Sequence, residues 1–555
     1  MALLEGQVYR TTVEGYSSDG AGIARIEGMV VFVKDGIRGE TVDVFIEHIG
    51  HNAAWGHIGA LIAPSPARVE PDCPYYNDCG GCQFRHMAYE EELNAKRSRV
   101  QDALRRIGGS DVTVSAIHGA AEPSRYRNKV QFPVGGKAIG YYKGRTHQVT
   151  DIDDCLLQPE ADTVARRVVK AWMERHHIPA YNEKSGKGLL RHLYLRTNSR
   201  GQVLCCLIVN GGDVPHSEAL ISALRQALPG LAGVVLCSNT KKTNVILGDS
   251  YRTLWGEDRL EETLCGHTFR LSVPSFFQIN RAQTEVLYGR ALEFAQLTGT
   301  ETAVDLYCGI GTISLTLAEQ SGQVIGVEVV PQAIVDAKEN AVRNDWAHKT
   351  RFECGDASDL AARLEAEGIR PDVVVVDPPR KGLAPDVVDT IVRMAPERVV
   401  YVSCDPATLG RDVKRFEEQG YKAVKAEAVD LFPRTAHIES LSADPSMKET
   451  MNQIERIRHM EQILGTVSKA VQNLSDAFDS YAAIQPQLEE LIRYYESPQW
   501  LADYDAACAG LIPSDLKRGV LSEDAVYDLL TEHQRLLDVM KQFTKEIEEF
   551  SCRKY

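Results

Sequence analysis

Between Thr302 and Val402 the chain repeats one texture four times: a short, almost wholly apolar segment that runs into a turn. The segments are Val304-Asp305-Leu306, Val324-Ile325-Gly326-Val327, Val373-Val374-Val375-Val376 and Val399-Val400-Tyr401-Val402. A strand that is apolar at every position, rather than at alternate ones, is buried on both faces. Helical patterns fill the intervals. The segments therefore predict an α/β domain with a parallel sheet covered on both sides, whose ligands lie beyond the carboxyl ends of the strands.

The rest of the chain is organised differently. At 555 residues it is long enough for three or four domains. Residues 1–62 read as short strands, with Val30 to Val33 and Thr41 to Ile46 rich in β-branched residues. Gly20, Gly22, Gly28, Gly36 and Gly39 punctuate them, which predicts a small β-barrel. Ala63-Pro64-Ser65-Pro66 reads as a linker into a mixed α+β segment, residues 63–270, that opens with a cysteine group and a charged helix from Ala88 to Ile107. Residues 271–446 hold the α/β domain. Ser442-Ala443-Asp444-Pro445-Ser446, short, polar and proline-containing, reads as the junction to an all-α region, 447–555. There Ile457, Met460, Leu464, Val467, Val471, Leu474 and Phe478 recur at alternating spacings of three and four, as do Leu536, Met540, Phe543, Ile547 and Phe550. These seams predict helices that close on one another as a small bundle.

Composition excludes some classes. No stretch approaches the roughly 20 apolar residues of a membrane span, and Met1 to Gly6 turns acidic too soon for a signal peptide. The expectation is a cytoplasmic, monomeric protein without a membrane partner. Thirteen cysteines in a reducing compartment imply metal binding or catalysis rather than disulfides. The net charge of −15 is uneven: residues 121–200 carry 15 Lys/Arg against 8 Asp/Glu, whereas residues 447–555 carry 12 against 19. A local basic face is what phosphate binding needs.

Four constellations point to chemistry at the sheet edge. Asp305-Leu306-Tyr307-Cys308-Gly309-Ile310-Gly311-Thr312 follows a strand, and its glycines let backbone approach a ligand. Glu328 ends the next strand, where a carboxylate can accept both hydroxyls of a ribose. In Val376-Asp377-Pro378-Pro379-Arg380-Lys381-Gly382, two prolines stiffen the strand exit and fix where Asp377 points. Cys404, in Ser403-Cys404-Asp405-Pro406, follows a buried strand, and Glu439, in His437-Ile438-Glu439, comes late in the domain. Elsewhere Cys73, Cys79 and Cys82 form a C-x5-C-x2-C run that a fourth thiol would complete for either zinc or an iron–sulfur cluster.

Together with Ser275-Phe276-Phe277-Gln278-Ile279-Asn280, these motifs in this order resemble the bacterial 23S ribosomal RNA (uracil-5-)-methyltransferases that carry an N-terminal TRAM barrel, over residues 1–443. RNA cytosine methyltransferases have a cysteine where Arg380 stands, and amino-group methyltransferases an aromatic residue. The resemblance implies a Rossmann-like domain using S-adenosylmethionine, contacted by Gln278, Tyr307, Glu328 and Asp377, with Thr312 and Asp356 beside them. It makes Cys404 the nucleophile that adds to carbon-6 of uracil and Glu439 the base that removes the carbon-5 proton afterwards, on a uridine flipped from its stack. It supplies Cys155 as the fourth thiol and a [4Fe–4S] cluster as its occupant, zinc being the alternative by spacing. It implies 23S ribosomal RNA as partner, with the barrel and the basic stretch Arg125-Tyr126-Arg127-Asn128-Lys129 as RNA-binding surface. Two rival readings share these features: a transfer RNA uridine methyltransferase, and a catalytically silent RNA-binding iron–sulfur protein. Residues 451–555 resemble a small bacterial helical domain of unknown function, through Tyr494-Tyr495-Glu496-Ser497 with Trp500 and Lys517 to Asp524.

Overall fold

The computed structural model describes residues 3–144, 146–446, 453–513 and 516–552. They form two compact units, 1–450 and 451–555. The first begins with a closed five-stranded barrel, β1 (Val8–Tyr16), β2 (Gly22–Ile26), β3 (Met29–Lys34), β4 (Thr41–Ile49) and β5 (Ala53–Ala63), joined in the order β1-β2-β3-β5-β4. Alternation along its strands puts Val31, Val33, Val42, Val44 and Ile46 inside, which is why the β-branched runs close on themselves. The cysteine segment follows, then α1 (Tyr89–Asp102), a π-helical turn Ala103–Gly108, and β6 (Val114–His118).

A seven-stranded sheet comes next, in the order β13-β12-β11-β10-β7-β8-β9. Its strands are β7 (Lys129–Gly135), β8 (Ala138–Tyr142), β9 (Val149–Asp151), β10 (Leu190–Thr197), β11 (Val203–Val209), β12 (Leu231–Ser238) and β13 (Ser250–Gly256). Two helices, α2 (Glu160–Arg175) and α3 (Ser217–Ala227), bury Val169, Trp172, Leu220 and Leu224 in the core of that sheet. A hairpin, β14 (Arg259–Leu264) and β15 (His267–Ser272), and α4 (Arg281–Ala295) lead into the catalytic sheet.

That sheet contains every strand expected from the apolar segments: β16 (Thr302–Leu306), β17 (Gln323–Glu328), β19 (Val373–Val376) and β20 (Arg398–Ser403). It also holds β18 (Thr350–Cys354), β21 (Lys425–Val429) and β22 (Glu439–Pro445), interleaved with α5 (Thr312–Ala318), α6 (Pro331–Arg343), α7 (Ala357–Ala366), α8 (Pro385–Met394) and α9 (Pro406–Glu418). The order is β18-β17-β16-β19-β20-β22-β21-β6. The first five strands are parallel, and β16, β17, β19 and β20 are buried on both faces as their apolar runs require, whereas the edge strand β18 buries only Phe352.

Three expectations need correction. The sheet is mixed, because β22 runs antiparallel to both β20 and β21. Its outermost strand is β6, so the catalytic sheet takes an edge from the segment 63–270 that the sequence assigns to a separate domain. The expected junction Ser442 to Ser446 is largely strand β22, with Ser442 and Asp444 buried inside the sheet; polar residues there read as a linker because strand burial in a mixed sheet leaves no continuous apolar run.

The second unit consists of α10 (Gln453–Tyr495), α11 (Pro498–Cys508) and α12 (Glu523–Cys552). Tyr481 of α10 stacks on His533 of α12 with ring centroids 6.0 Å apart, and Trp500 of α11 lies against Tyr495 and Tyr504. The expected closure of the seams does not occur: Met460, Leu464, Val467, Val471, Leu474 and Phe478 are exposed, Val471 at 62%, and so are Leu536 and Phe543. Two long helices cover only one side of each other, so an apolar stripe on either remains half open to water. Ile457, Ile547 and Phe550 lie outside the described side chains.

Candidate active site

The carboxyl ends of β16, β17, β19 and β20 form one rim, and each sequence-predicted residue is tied to it by local chemistry. Asp305, inside β16, is fully buried and accepts from Ser314 Oγ at 2.5 Å; burial pushes its carboxyl up to about 7. The following turn is left-handed at Tyr307, Gly309 and Gly311, with φ of 69°, 55° and 85°. At Gly311 a Cβ would also stand 3.2 Å from the Phe352 ring, so only glycine leaves this turn unstrained. Glu328 closes β17. Its carboxylate accepts from the amide of Gly309 at 3.3 Å and from that of Val330 at 3.0 Å, which aims it into the turn. Thr312, the first residue of α5, shares a 3.1 Å hydrogen bond with Tyr288. Asp356 follows β18, is exposed, and acts electrostatically on the half-buried Tyr307. Gln278 is buried, with its carbonyl accepting from Asn128 at 2.9 Å.

The Asp-Pro-Pro-Arg loop is anchored from behind by Asp412 of α9. Its Oδ2 accepts from the amide of Leu383 and the hydroxyl of Tyr401, each at 2.8 Å. Gly382 passes so close that a Cβ there would lie 2.5 Å from the same oxygen, at a φ of 71°. This sets Asp377 and Arg380 in place.

The antiparallel strand β22 explains how Cys404 and Glu439, 35 positions apart, come together. β20 and β22 pair through Ser403 and Ser440, so the next pair in that register is Cys404 and Glu439. Cys404 precedes Asp405, which caps α9 by accepting from the amides of Ala407 and Thr408. Glu439 is 2% exposed, and its Oε2 is buried without a hydrogen-bond partner. Burial raises its carboxyl well above the usual range, nearby Asp377 raises it further, and Arg380 pulls it back. Burial likewise pushes the Cys404 thiol up to about 12, with Glu439 and Asp377 adding to the effect and Arg380 opposing it. A helix N-terminus ordinarily favours a thiolate; here desolvation wins. Burial also raises Asp377. Arg380 served only as a family discriminator in the sequence. Its placement as the cation facing these acids had no local signal.

Cys73, Cys79, Cys82 and Cys155 line a single small cavity with Arg85, Arg127 and Tyr141. The amide of Gly81 donates to Cys79 Sγ at 3.3 Å, while Arg85 and Arg127 act on Cys82 and hold down a thiol that burial raises. Among the described residues no three His, Cys, Asp or Glu side chains converge on a point fit for one metal ion. Four thiols around one cavity are a donor set that either zinc or an iron–sulfur cluster can use.

The basic stretch, expected as RNA-binding surface, also has partners within the protein. Arg125 makes a two-bonded pair with Asp154, at 2.8 and 2.7 Å. Arg127 lines the cysteine cavity, and Tyr126 donates to the carbonyl of Pro433 at 2.9 Å. Lys129 sits over the ring of Phe276, which is 65% exposed, and burial lowers its amine to about 8. The excess of Lys and Arg between 121 and 200 is therefore in part an internal scaffold.

A glycine turn and a strand-end acid at the carboxyl edge of such a sheet suit a nucleoside cofactor, as in α/β methyltransferases, and a cysteine–glutamate pair shares that edge. The comparisons agree on the class. A model of tRNA (uracil-5-)-methyltransferases matches residues 88–442, a TRAM model matches 2–58, and a domain of unknown function matches 457–543. An RNA methyltransferase of Halalkalibacterium halodurans is 44% identical over 444 residues, covering 79% of this chain and 97% of its own length. One of Clostridium tetani is 43% identical over 442 residues, covering 79% and 96%. The Pyrococcus abyssi tRNA (uracil-54, C5)-methyltransferase, solved with S-adenosyl-L-homocysteine, is 25% identical with a TM-score of 0.64, covering 78% of this chain and 99% of its own. The chain belongs to the S-adenosylmethionine-dependent RNA (uracil-5-)-methyltransferase family, with a TRAM barrel before the family's core and a helical domain after it.

Proposed function

We propose that this protein methylates carbon-5 of a uridine in 23S ribosomal RNA, with Cys404 as nucleophile and Glu439 as base. The observation that carries the reading is the β20–β22 register, which makes Cys404 and Glu439 facing neighbours beside Asp377. The glycine turn and the oriented carboxylate of Glu328 suit the ribose of S-adenosylmethionine. Tyr307, Thr312, Asp356, Asp377 and Gln278 would complete its surroundings. When bound, S-adenosylmethionine supplies the methyl group. Carbon-5 of uracil is too weak a nucleophile to take that group unaided. Addition of the Cys404 sulfur to carbon-6 makes it an enolate carbon, and Glu439 later takes the carbon-5 proton so that the carbon–sulfur bond breaks. Both steps need deprotonated groups: the Cys404 proton passes to solvent before the sulfur adds, and Glu439 is ionised when it takes the carbon-5 proton.

The cysteine cavity suits a [4Fe–4S] cluster held by Cys73, Cys79, Cys82 and Cys155, with a structural role, since methyl transfer consumes no electron. Protein purified without oxygen is expected to be brown, with iron and sulfide in near-equal amounts. A colourless protein with one zinc overturns that assignment and leaves the catalytic reading standing.

The deciding experiment maps 5-methyluridine in 23S and transfer RNA from a strain lacking the gene. Loss from 23S RNA is expected. The Pyrococcus abyssi relative is a tRNA (uracil-54, C5)-methyltransferase, so loss confined to transfer RNA would replace the substrate while keeping the chemistry.

A further inference from the structure

The Oε2 of Glu439 is buried without a hydrogen-bond partner, so no hydrogen bond at that oxygen fixes the carboxylate. Its direction comes from the backbone that delivers it: the register of β22 against β20 and β21, and the connection from β21 that leads into it. That connection is gripped by residues more than 300 positions earlier in the chain. Lys96 of α1, 1% exposed, donates from Nζ to Asp430 Oδ1 at 2.7 Å and to the carbonyl of Phe432 at 3.1 Å. The same ammonium group bonds Glu92 Oε1 at 2.7 Å, and that oxygen accepts from the amide of Arg434 at 2.6 Å. Tyr89 donates to the other oxygen of Asp430 at 2.9 Å.

The grip continues towards Glu439. The carbonyl of Arg434 accepts from the amides of both Gln83 and Phe84, at 2.9 and 3.1 Å. Arg434 holds a left-handed backbone, φ 70°, a conformation that a non-glycine residue keeps only under constraint from its surroundings. Arg99 donates to the carbonyl of Ala436 at 2.7 Å, three residues before the base. Phe84 packs with Ala436 and with Ile37 of the barrel.

We propose that Lys96 is a positioning residue for proton removal: through Glu92 and Asp430 it locks the 430–436 connection, and thereby the direction in which Glu439 meets carbon-5. Nothing in the reaction requires Lys96 to touch substrate. Lys96 lies between two buried carboxylates, Glu92 and Asp430; the Arg434 guanidinium also stands 3.6 Å from the other oxygen of Glu92, so loss of Lys96 leaves Asp430 as the carboxylate stripped of its cation. The consequence is specific to one step. Addition of the Cys404 sulfur and methyl transfer draw on β16, β17, β19 and β20, whereas release draws on Glu439.

The inference rests on the uridine-methylation reading, and the test separates the two. Wild type, Lys96→Arg and Lys96→Met are given unmodified substrate RNA, and both the methylated product and the protein–RNA adduct are followed. Lys96→Met is expected to form adduct at nearly the wild-type rate, to release it about tenfold more slowly or worse, and so to accumulate methylated RNA on Cys404. Lys96→Arg should recover part of the release rate. S-adenosylmethionine affinity should be unchanged throughout. If Lys96→Met does not fold, Tyr89→Phe, which removes one uncharged donor to Asp430, carries the same test with a smaller accumulation. A folded variant that loses addition and release in equal measure, or releases normally, overturns the proposal. Failure of wild type to methylate uridine overturns the underlying reading instead.

Discussion

At the scale of single residues, burial disfavours the charged form of both reactive groups, Cys404 and Glu439. A thiol pushed up to about 12 is almost wholly protonated at neutrality, and its thiolate fraction grows about tenfold for each pH unit below that value. Alkylation of Cys404 by iodoacetamide in RNA-free protein, read by mass spectrometry of its peptide, should therefore rise about tenfold per pH unit between pH 7 and 9. Rapid modification already at pH 7, with no rise, would show a thiolate in the resting crevice. RNA containing 5-fluorouridine tests the assignment of the nucleophile, because fluorine cannot leave as a proton does. Wild type should be trapped covalently and Cys404→Ala should not; an adduct on the alanine variant would move the nucleophile elsewhere. Glu439→Gln should still add and methylate yet retain the product on Cys404, and normal turnover by this variant would dismiss Glu439 as the base. Cys404 stands out in the sequence because it follows a buried strand, whereas Glu439 is singled out only through the family resemblance of its His-Ile-Glu motif. Lys96, Glu92 and Asp430 were not legible, because their meaning arises only when segments more than 300 positions apart meet.

At the scale of elements, the parallel strands announced themselves. Burial on both faces forces unbroken valine and isoleucine runs such as Val373 to Val376. β22 and β6 did not, because β22 alternates small polar residues whose partners are within the sheet: Ser440 Oγ bonds the Ser403 carbonyl at 3.2 Å, and Ser442 bonds Asp444 at 2.9 Å. The charged helix from Ala88 to Ile107 was legible as a helix, but not its π-helical last turn, which comes from a close approach. Gly410 of α9 faces that turn, and a Cβ on it would stand 2.5 Å from the carbonyl of Ala103. Since α9 begins just after Cys404, its seat on this turn also sets the nucleophile. Gly410→Val must separate the two helical segments, at a cost of about 1–3 kcal/mol. The expected result is a lower denaturant midpoint with an unchanged slope. An unchanged midpoint would mean that the contact yields without strain.

At the scale of the whole molecule, the helical region raises the question of what it contributes to catalysis. Cys404, Glu439, Asp377, Glu328 and the glycine turn all lie within the first compact unit, 1–450. That unit also contains the complete sheet, including β22, which ends at Pro445. A protein ending at Ser446 therefore loses no strand and no named group, although it cuts just after a buried edge where Tyr421 pairs with Ser446. It should fold, bind S-adenosylmethionine and methylate RNA at a rate close to that of the full chain, because it keeps every group named in the site. The stripe from Met460 to Phe478 is exposed along much of its length, Leu464 at 58%, so its removal takes away apolar surface rather than core, and the truncated protein should be the less prone to associate. The region also carries 12 Lys/Arg against 19 Asp/Glu. If that acidity shields the RNA-binding face, truncation should tighten RNA binding most at low salt and alter the slope of affinity against salt. Titrations of both proteins at several salt concentrations separate the two outcomes: parallel lines mean a bystander, diverging lines a shield. A truncated protein that is folded but unable to bind S-adenosylmethionine would show instead that the first unit is incomplete without the second.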